Sequence, residues 1–132
     1  MILADTSAWI EFDRATGSPA DRSLTAMIRA GGAALASTEP VMMEVLAGAR
    51  DDSGHDRLLA LQRSFNWLPV DPVADFTGAA TIYRACRAAG FTPRGLIDCM
   101  IANIAIRTGA ELLAADRDFA EMAKVVPLRL AA

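Results

Sequence analysis

The sequence predicts a three-layer α/β/α sandwich around a mainly parallel sheet of five strands. Short apolar runs alternate with helix-period segments along the whole chain, the mark of βαβ construction. The segment 96–108 is apolar nearly all round, which places one helix at the centre of the fold. At 132 residues, 53% of them hydrophobic and 22% charged, the chain can bury one core and has little room for a second. A single domain over 1–132 is expected.

The elements follow in order. Ile2-Leu3-Ala4 reads as a short buried strand, and 7–14 as a short helix closed by Thr16-Gly17. Ser18-Pro19-Ala20-Asp21 is a helix start, with Ser as N-cap, Pro at the first helical position and an acid in the first turn. That helix runs to Ala30 and stops at Gly31-Gly32, and a second strand is expected over 33–37. Thr38 is expected to cap a helix running to about Ala49, followed by a polar turn over 50–54. Residues 56–65 read as a helix with Leu58, Leu59 and Leu61 toward the core, and 67–70 as a short strand that Pro69 places at an end or edge. Val73, Phe76, Ala80, Tyr83 and Cys86 recur at helical spacing and predict the buried face of the next helix, which ends at Gly90. After a loop over 91–95 and the central helix, Gly109 is the expected C-cap. A strand over 111–115, a helix over 117–124 and a fifth strand over 126–130 complete the chain.

Composition excludes several classes of function. The net charge of −3, with twelve Arg and Lys124 against sixteen acids, speaks against a general basic field for nucleic acid. A local acidic site that holds metal remains compatible with it. No apolar run approaches the ~18 residues of a membrane span. No secretory leader is expected either, because Asp5 and Trp9-Ile10-Glu11 already read as part of the fold. A soluble cytoplasmic domain is expected. Cys86 and Cys99 make neither a disulfide framework nor a zinc site and read as reduced core residues.

Four carboxylates stand in apolar surroundings. Asp5 follows Ile2-Leu3-Ala4, and Asp116 follows Leu112-Leu113-Ala114-Ala115. Glu44 lies between Met42-Met43 and Val45-Leu46, and Asp98 between Leu96-Ile97 and Cys99-Met100-Ile101. A charge so placed costs several kcal/mol unless it is paired. Asp5 and Asp116 each sit at the carboxyl end of an expected strand, the edge where open α/β sheets build their sites. Glu44 has Pro40 and Gly48 as neighbours on its helical face, and Asp98 has Gly95 and Ala102. Those small residues leave room before each carboxylate. Asp71 and Asp75, by contrast, lie in polar surroundings outside this set.

Each acid also has a plainer reading. Asp5 and Asp116 suit helix N-caps, Glu44 an exposed helix face, and Asp118 a solvated helix residue. Thr6 and Ser7 either orient Asp5 or a metal-bound water, or cap a helix. Arg94, four residues before Asp98, either pairs with it or contacts phosphate. His55 reads as solvated, and Trp9 and Phe12 as core or interface residues. One Arg cannot neutralise four acids, whereas a divalent cation can. Oxygen-only ligands select hard ions such as Mg²⁺ or Mn²⁺, and one His with no Cys cluster excludes an ordinary zinc set. Such a site activates water and stabilises charge on a transferring phosphoryl group.

Asp5-Thr6-Ser7-Ala8-Trp9, Glu44 in Met43-Glu44-Val45-Leu46, Arg94-Gly95-Leu96-Ile97-Asp98 and Asp116-Arg117-Asp118-Phe119 resemble, in order, the motifs of the PIN-domain nucleases. More narrowly, the chain is similar over nearly its whole length to the VapC toxins of bacterial toxin–antitoxin pairs. The resemblance implies a compact α/β/α fold and Mg²⁺- or Mn²⁺-dependent endoribonuclease activity on tRNA, rRNA or mRNA. It implies a homodimer, higher toxin–antitoxin assemblies and a cognate VapB antitoxin. By position, it makes Asp5, Glu44, Asp98 and Asp116 the catalytic acids, with Asp5, Asp98 and Asp116 on the metal. Asp118, Thr6 and Arg94 become auxiliary residues. Gly95 stands where the family often has Ser. An acidic pocket invites a cationic plug, so the antitoxin is expected to place an Arg or Lys among the acids. Its apolar side chains would pack on a groove walled by Trp9, Phe12, Met42, Met43 and Leu46.

Three rival readings carry their own discriminants. A receiver-type domain needs a lysine near the end of its last strand, but Lys124 precedes that strand. A two-aspartate phosphatase wants an acid where Ser7 stands. A non-catalytic acidic-pocket interaction or signalling domain would gain no stability from Mg²⁺ or Mn²⁺.

Overall fold

The computed structural model describes residues 1–131. Strand β1 (Ile2–Ala4) leads into α1 (Thr6–Asp13) and α2 (Pro19–Arg29). Strand β2 (Leu35–Ser37) is followed by α3 (Glu39–Ala47) and α4 (Asp52–Arg63), and β3 (Asn66–Trp67) by the long pair α5 (Pro72–Ala88) and α6 (Leu96–Thr108). Strand β4 (Glu111–Leu113) and α7 (Asp118–Ala123) end the series. The strands lie in the order β3-β2-β1-β4, every pairing parallel, with Ile2 opposite Leu35 on one side and Glu111 on the other. All chain exits toward α1, α3 and α7 therefore leave one edge of the sheet.

The α/β class and the parallel sheet are as expected, with four strands rather than five. The segment 126–130 makes only an isolated parallel bridge, Leu130 to Leu112. Leu112 N–H donates to Arg129 O at 2.8 Å and Ala131 N–H to Leu112 O at 2.8 Å. Pro127 has no N–H to give, and Leu128 N–H turns back to Val126 O at 2.7 Å, so no ladder extends upstream. Strand β3 is likewise shorter and earlier than the expected 67–70, since Pro69 cannot donate to β2.

Two helices depart from the sequence pattern. Helix α4 starts at Asp52, so the polar stretch 50–54 is its cap and first turn rather than a free turn. Asp51 accepts from Gly54 N–H at 2.7 Å. Its buried residue is Gln62, whose Oε1 accepts from Ser37 Oγ, while Leu58 and Leu61 pack only partly against the core. Helix α5 is rotated from expectation. It buries Asp75, Ala79, Ile82 and Cys86, and leaves Val73 and Phe76 75% and 60% exposed. The cause is polar. Asp75 is fully buried and accepts from Arg107 Nη2 at 2.7 Å, Arg107 Nε at 3.0 Å and Asn103 Nδ2 at 2.9 Å. Gly78 lies so close to Asn103 that a Cβ there would overlap its side chain. Asp75 lies outside the acidic set as expected, but as a fully buried structural acid.

Helix α6 is central as expected. Cys99, Ile101, Ala102, Ile104 and Ala105 are all buried, and Gly109 ends the helix with φ of +74°, which an L side chain would strain. Leu3, Leu35 and Leu112 from the sheet meet Leu24, Phe119 and Met122 from the helices in the same core. Both cysteines are buried and free. Among the described residues, no helix is long and apolar enough to cross a membrane.

Candidate metal centre and active site

Asp5 leaves β1 in extended conformation and caps α1. Its Oδ2 accepts from Ser7 N–H at 3.0 Å and from Ser7 Oγ at 2.7 Å. The plainer N-cap reading of Asp5 is therefore correct as far as it goes, but it uses only one oxygen. The other, Oδ1, is buried with no hydrogen-bond partner. Helix α3 brings Glu44 alongside, held by Thr6, whose Oγ1 donates to Glu44 Oε1 at 2.7 Å. Helix α6 presents Asp98 in its first turn. Asp5, Glu44 and Asp98 each offer an oxygen within 4.8 Å of the other two.

Asp98 belongs to a second trio, with Asp116 and Asp118, whose oxygens lie within the same 4.8 Å of one another. Asp116 Oδ1 accepts from Asp118 N–H at 2.9 Å, which fixes the turn from β4 into α7. The structure therefore brings all four apolar-context acids and Asp118 to one edge of the sheet, with Asp98 as the shared member. Asp5 and Asp116, both expected as metal ligands, fall in different trios, joined by Asp98.

Electrostatics singles out the two innermost carboxyls. Burial pushes Asp5 from its ordinary 3.8 up to about 6, against the hydrogen bonds from Ser7 and the amide of Thr6, with the charge of Glu44 adding to the rise. Burial also raises Asp98 to about 7, helped by the charges of Asp5, Glu44, Asp116 and Asp118. Strongly raised carboxyls that face one another in this way mark functional sites. A divalent cation fits the donors. All are oxygens, and the orphaned Asp5 Oδ1 is an acceptor with nothing in the protein to accept from.

A model of the PIN domain matches residues 2–125. The VapC ribonuclease Mb1587 of Mycobacterium bovis and ribonuclease VapC11 of Mycobacterium tuberculosis are each 46% identical over 131 residues, covering 99% of this chain and 98% of theirs. The chain belongs to the PIN-domain family, among its VapC ribonucleases. The VapBC2 structure of Rickettsia felis matches with a TM-score of 0.77 at 16% identity, over 99% of this chain and 98% of that one. At that identity the likeness is one of fold.

Other expected residues of this PIN domain take different places. Arg94 does not pair with Asp98. Its Nη2 meets Asp116 Oδ1 at 2.6 Å and its Nε meets Asp118 Oδ2 at 3.3 Å. Thr6 serves Glu44 rather than Asp5. Gly95 offers no side chain to the start of α6, which has no side-chain cap. His55 is half-exposed beside Asp56. Trp9 lines a groove as expected, though it is largely covered. It is 2% exposed, with Phe12 edge-on and Phe65 stacked, each ring 5.7 Å away. Met42, Met43 and Leu46 do not line that groove. Helix α3 turns Glu44, Val45 and Gly48 toward a groove against α1 and α4, which Ile10 and Leu58 also line. Met42 faces a separate hollow with Glu39, Arg63 and Trp67.

Ser7 had no assigned part beyond a general capping or orienting hydroxyl, and it proves to be the joint of the site. Its Oγ donates to Asp5 Oδ2 and accepts from Ala115 N–H at 2.9 Å and Asp116 N–H at 3.2 Å. One hydroxyl thus locks the exit of β4 to the exit of β1. The Asp-x-Ser spacing was the available signal, since a residue two past an N-cap aspartate is within reach of its carboxylate.

Proposed function

We propose that this chain is the toxin of a toxin–antitoxin pair, an endoribonuclease that works with Mg²⁺ or Mn²⁺ at Asp5, Glu44, Asp98 and Asp116. The observation that carries the reading is the unpartnered, buried Asp5 Oδ1 facing a cluster in which Asp98 is raised to about 7. Such a pair of carboxyls is tolerable only with a proton or a cation between them. Asp5, Glu44 and Asp98 would hold one ion, and Asp98, Asp116 and Asp118 are the donors for a second. The bound ion supplies charge stabilisation at a phosphodiester and a more acidic water. The chain's own residues do the rest. Ser7 fixes Asp5, Thr6 fixes Glu44 where it lines the groove between α1, α3 and α4, and the first turn of α6 presents Asp98 to both.

The partner follows from the same geometry. Relatives at 46% identity are VapC ribonucleases, and the Rickettsia felis structure is a VapBC pair. A VapB-type segment laid in the groove would rest its apolar side chains on Ile10, Val45 and Leu58, and carry an Arg or Lys to the acids. The test is induced expression with mapping of cleaved RNA, for the wild type and Asp98→Asn, alone and with the product of the adjacent reading frame. The reading requires cuts that depend on Asp98 and disappear when the neighbour is co-expressed. Cutting by metal-free protein in EDTA, or at full rate by Asp98→Asn, refutes it.

A further inference from the structure

The two trios of the centre differ in one respect. Among the described residues no Lys or Arg pairs with Asp5, Glu44 or Asp98. Arg94, however, already spans two carboxylates of the other trio, Nη2 on Asp116 at 2.6 Å and Nε on Asp118 at 3.3 Å. Its backbone N–H also donates to Asp118 Oδ2, at 3.2 Å. We propose that Arg94 is an internal counter-ion that competes with a divalent cation for Asp116 and Asp118. The centre then loads in two unequal steps, readily at Asp5, Glu44 and Asp98, and at the second trio only when the guanidinium swings away. This rests on the reading of the cluster as a metal centre.

The competition is steric and electrostatic. Asp116 Oδ1 is the oxygen that Arg94 holds, and an ion bound there would bring its charge against the guanidinium. Arginine suits the task because its fork reaches two carboxylates at once, where a lysine ammonium is a single point. The contact is also easily surrendered. The Arg94 side chain is 72% exposed, so leaving buries and uncovers little. Both carboxylates keep partners without the side chain, since Asp116 is still held by Asp118 N–H and, through its own N–H, by Ser7, while Asp118 Oδ2 still accepts from the Arg94 backbone N–H.

Calorimetric titration of the full chain with Mn²⁺, without RNA, tests this. The wild type should show one stronger and one weaker step. In Arg94→Gln the weaker step should tighten roughly two- to fivefold, the competition an exposed ion pair exerts, and Arg94→Met should do the same. Arg94→Lys keeps the charge and should stay nearer the wild type. Arg29→Gln is the control, because it removes the same charge at the end of α2, by the amino edge of the sheet, and should change neither step. A second step in Arg94→Gln as weak as in the wild type, or equal effects of Arg94→Gln and Arg29→Gln, would overturn the inference while leaving the metal centre standing. A wild-type chain that takes up no Mn²⁺ at all would overturn both.

Discussion

Replacing Asp98 by Asn should stabilise the metal-free protein, and by an amount that depends on pH. A carboxyl moved from 3.8 to about 7 is ionised at pH 7.5 against a penalty of roughly 4 kcal/mol relative to the unfolded chain. Asp98 is partly open to water and coupled to Asp5, and screening reduces that figure to ~1–3 kcal/mol. One effect opposes the gain. A carboxylate in the first turn of α6 is favoured by the helix dipole by about 0.5 kcal/mol, too little to reverse the sign. For a chain of this size each kcal/mol moves the midpoint by roughly 3 °C, so Asp98→Asn should melt about 3–9 °C higher at pH 7.5.

The direction with pH is fixed by the raised values. A carboxyl whose folded pKa lies above its unfolded one costs nothing while both states are protonated. Its cost then grows from pH 4 up to the folded value. Wild-type apo protein should therefore lose stability between pH 5 and pH 7.5, through the window set by Asp5 at about 6 and Asp98 at about 7. The gain from Asp98→Asn should shrink at pH 5. Scanning calorimetry in EDTA at both pH values measures it, and Mn²⁺ should raise the wild type more than the variant. An Asp98→Asn protein that melts at or below the wild type at pH 7.5 refutes the account of mutual repulsion.

Further substitutions separate chemistry from architecture. Asp5→Asn, Glu44→Gln and Asp116→Asn should each lower RNA cleavage by about 10²-fold or more with folding retained, as read by cleavage rate alongside circular dichroism. Asp75→Asn should do the reverse, retaining per-molecule cleavage but costing ~2–4 kcal/mol in urea unfolding, because Arg107 and Asn103 lose their buried partner. Burial alone would raise that carboxyl, but Arg107, the Asp71 amide and Asn103 hold it below its ordinary value. Its contribution should accordingly fade only as pH falls through the acid range. Ser7→Ala removes the hydroxyl that joins Asp5 to the Ala115 and Asp116 amides. Cleavage should fall by about tenfold with little change in KM, and Ser7→Thr should restore part of it. A rise in KM alone would place Ser7 in RNA binding instead.

The acids were legible because each interrupts an apolar run, and an interruption of that kind has to be explained by a partner. What the sequence could not display was which partner. Asp75 read as an acid in polar surroundings, yet its counter-charge, Arg107, lies a whole helix away, and their pairing sets α5 so that Val73 and Phe76 face outward. Periodicity counts apolar residues, so it assigns the wrong face whenever an ion pair occupies the right one. Of the residues expected along the groove, Trp9 lines it and Met42, Met43 and Leu46 do not. Trp9 and Phe12 at i, i+3 mark an apolar face, but nothing local reveals that Phe65 closes over Trp9. The fifth strand was lost where Pro127 has no N–H and Leu128 N–H turns back to Val126 O, and the start of α4 was hidden by Ser53 and Gly54, poor helix formers that Asp51 nevertheless caps.

The helix that carries the most perturbed carboxyl is also the most deeply anchored one, and this explains why the cluster cannot relax. Ile101 and Ile104 on α6 are fully buried, and each is worth about 1.5–3 kcal/mol of apolar burial. Tilting α6 to carry Asp98 away from Asp5 and Glu44 would lift both out of the core. Asp5 is no freer, because Asp5 N–H donates to Leu113 O at 2.8 Å and the Ser7 hydroxyl grips its side chain. Glu44 alone has a longer stem, and Thr6 ties that down. With movement more costly than repulsion, the remaining responses are to take up a proton or to take up a cation. The first is what the raised values of Asp5 and Asp98 express, and the second removes the same strain without a change in backbone. On the proposed metal reading, a rigid scaffold turns the repulsion of its acids into affinity for a divalent ion.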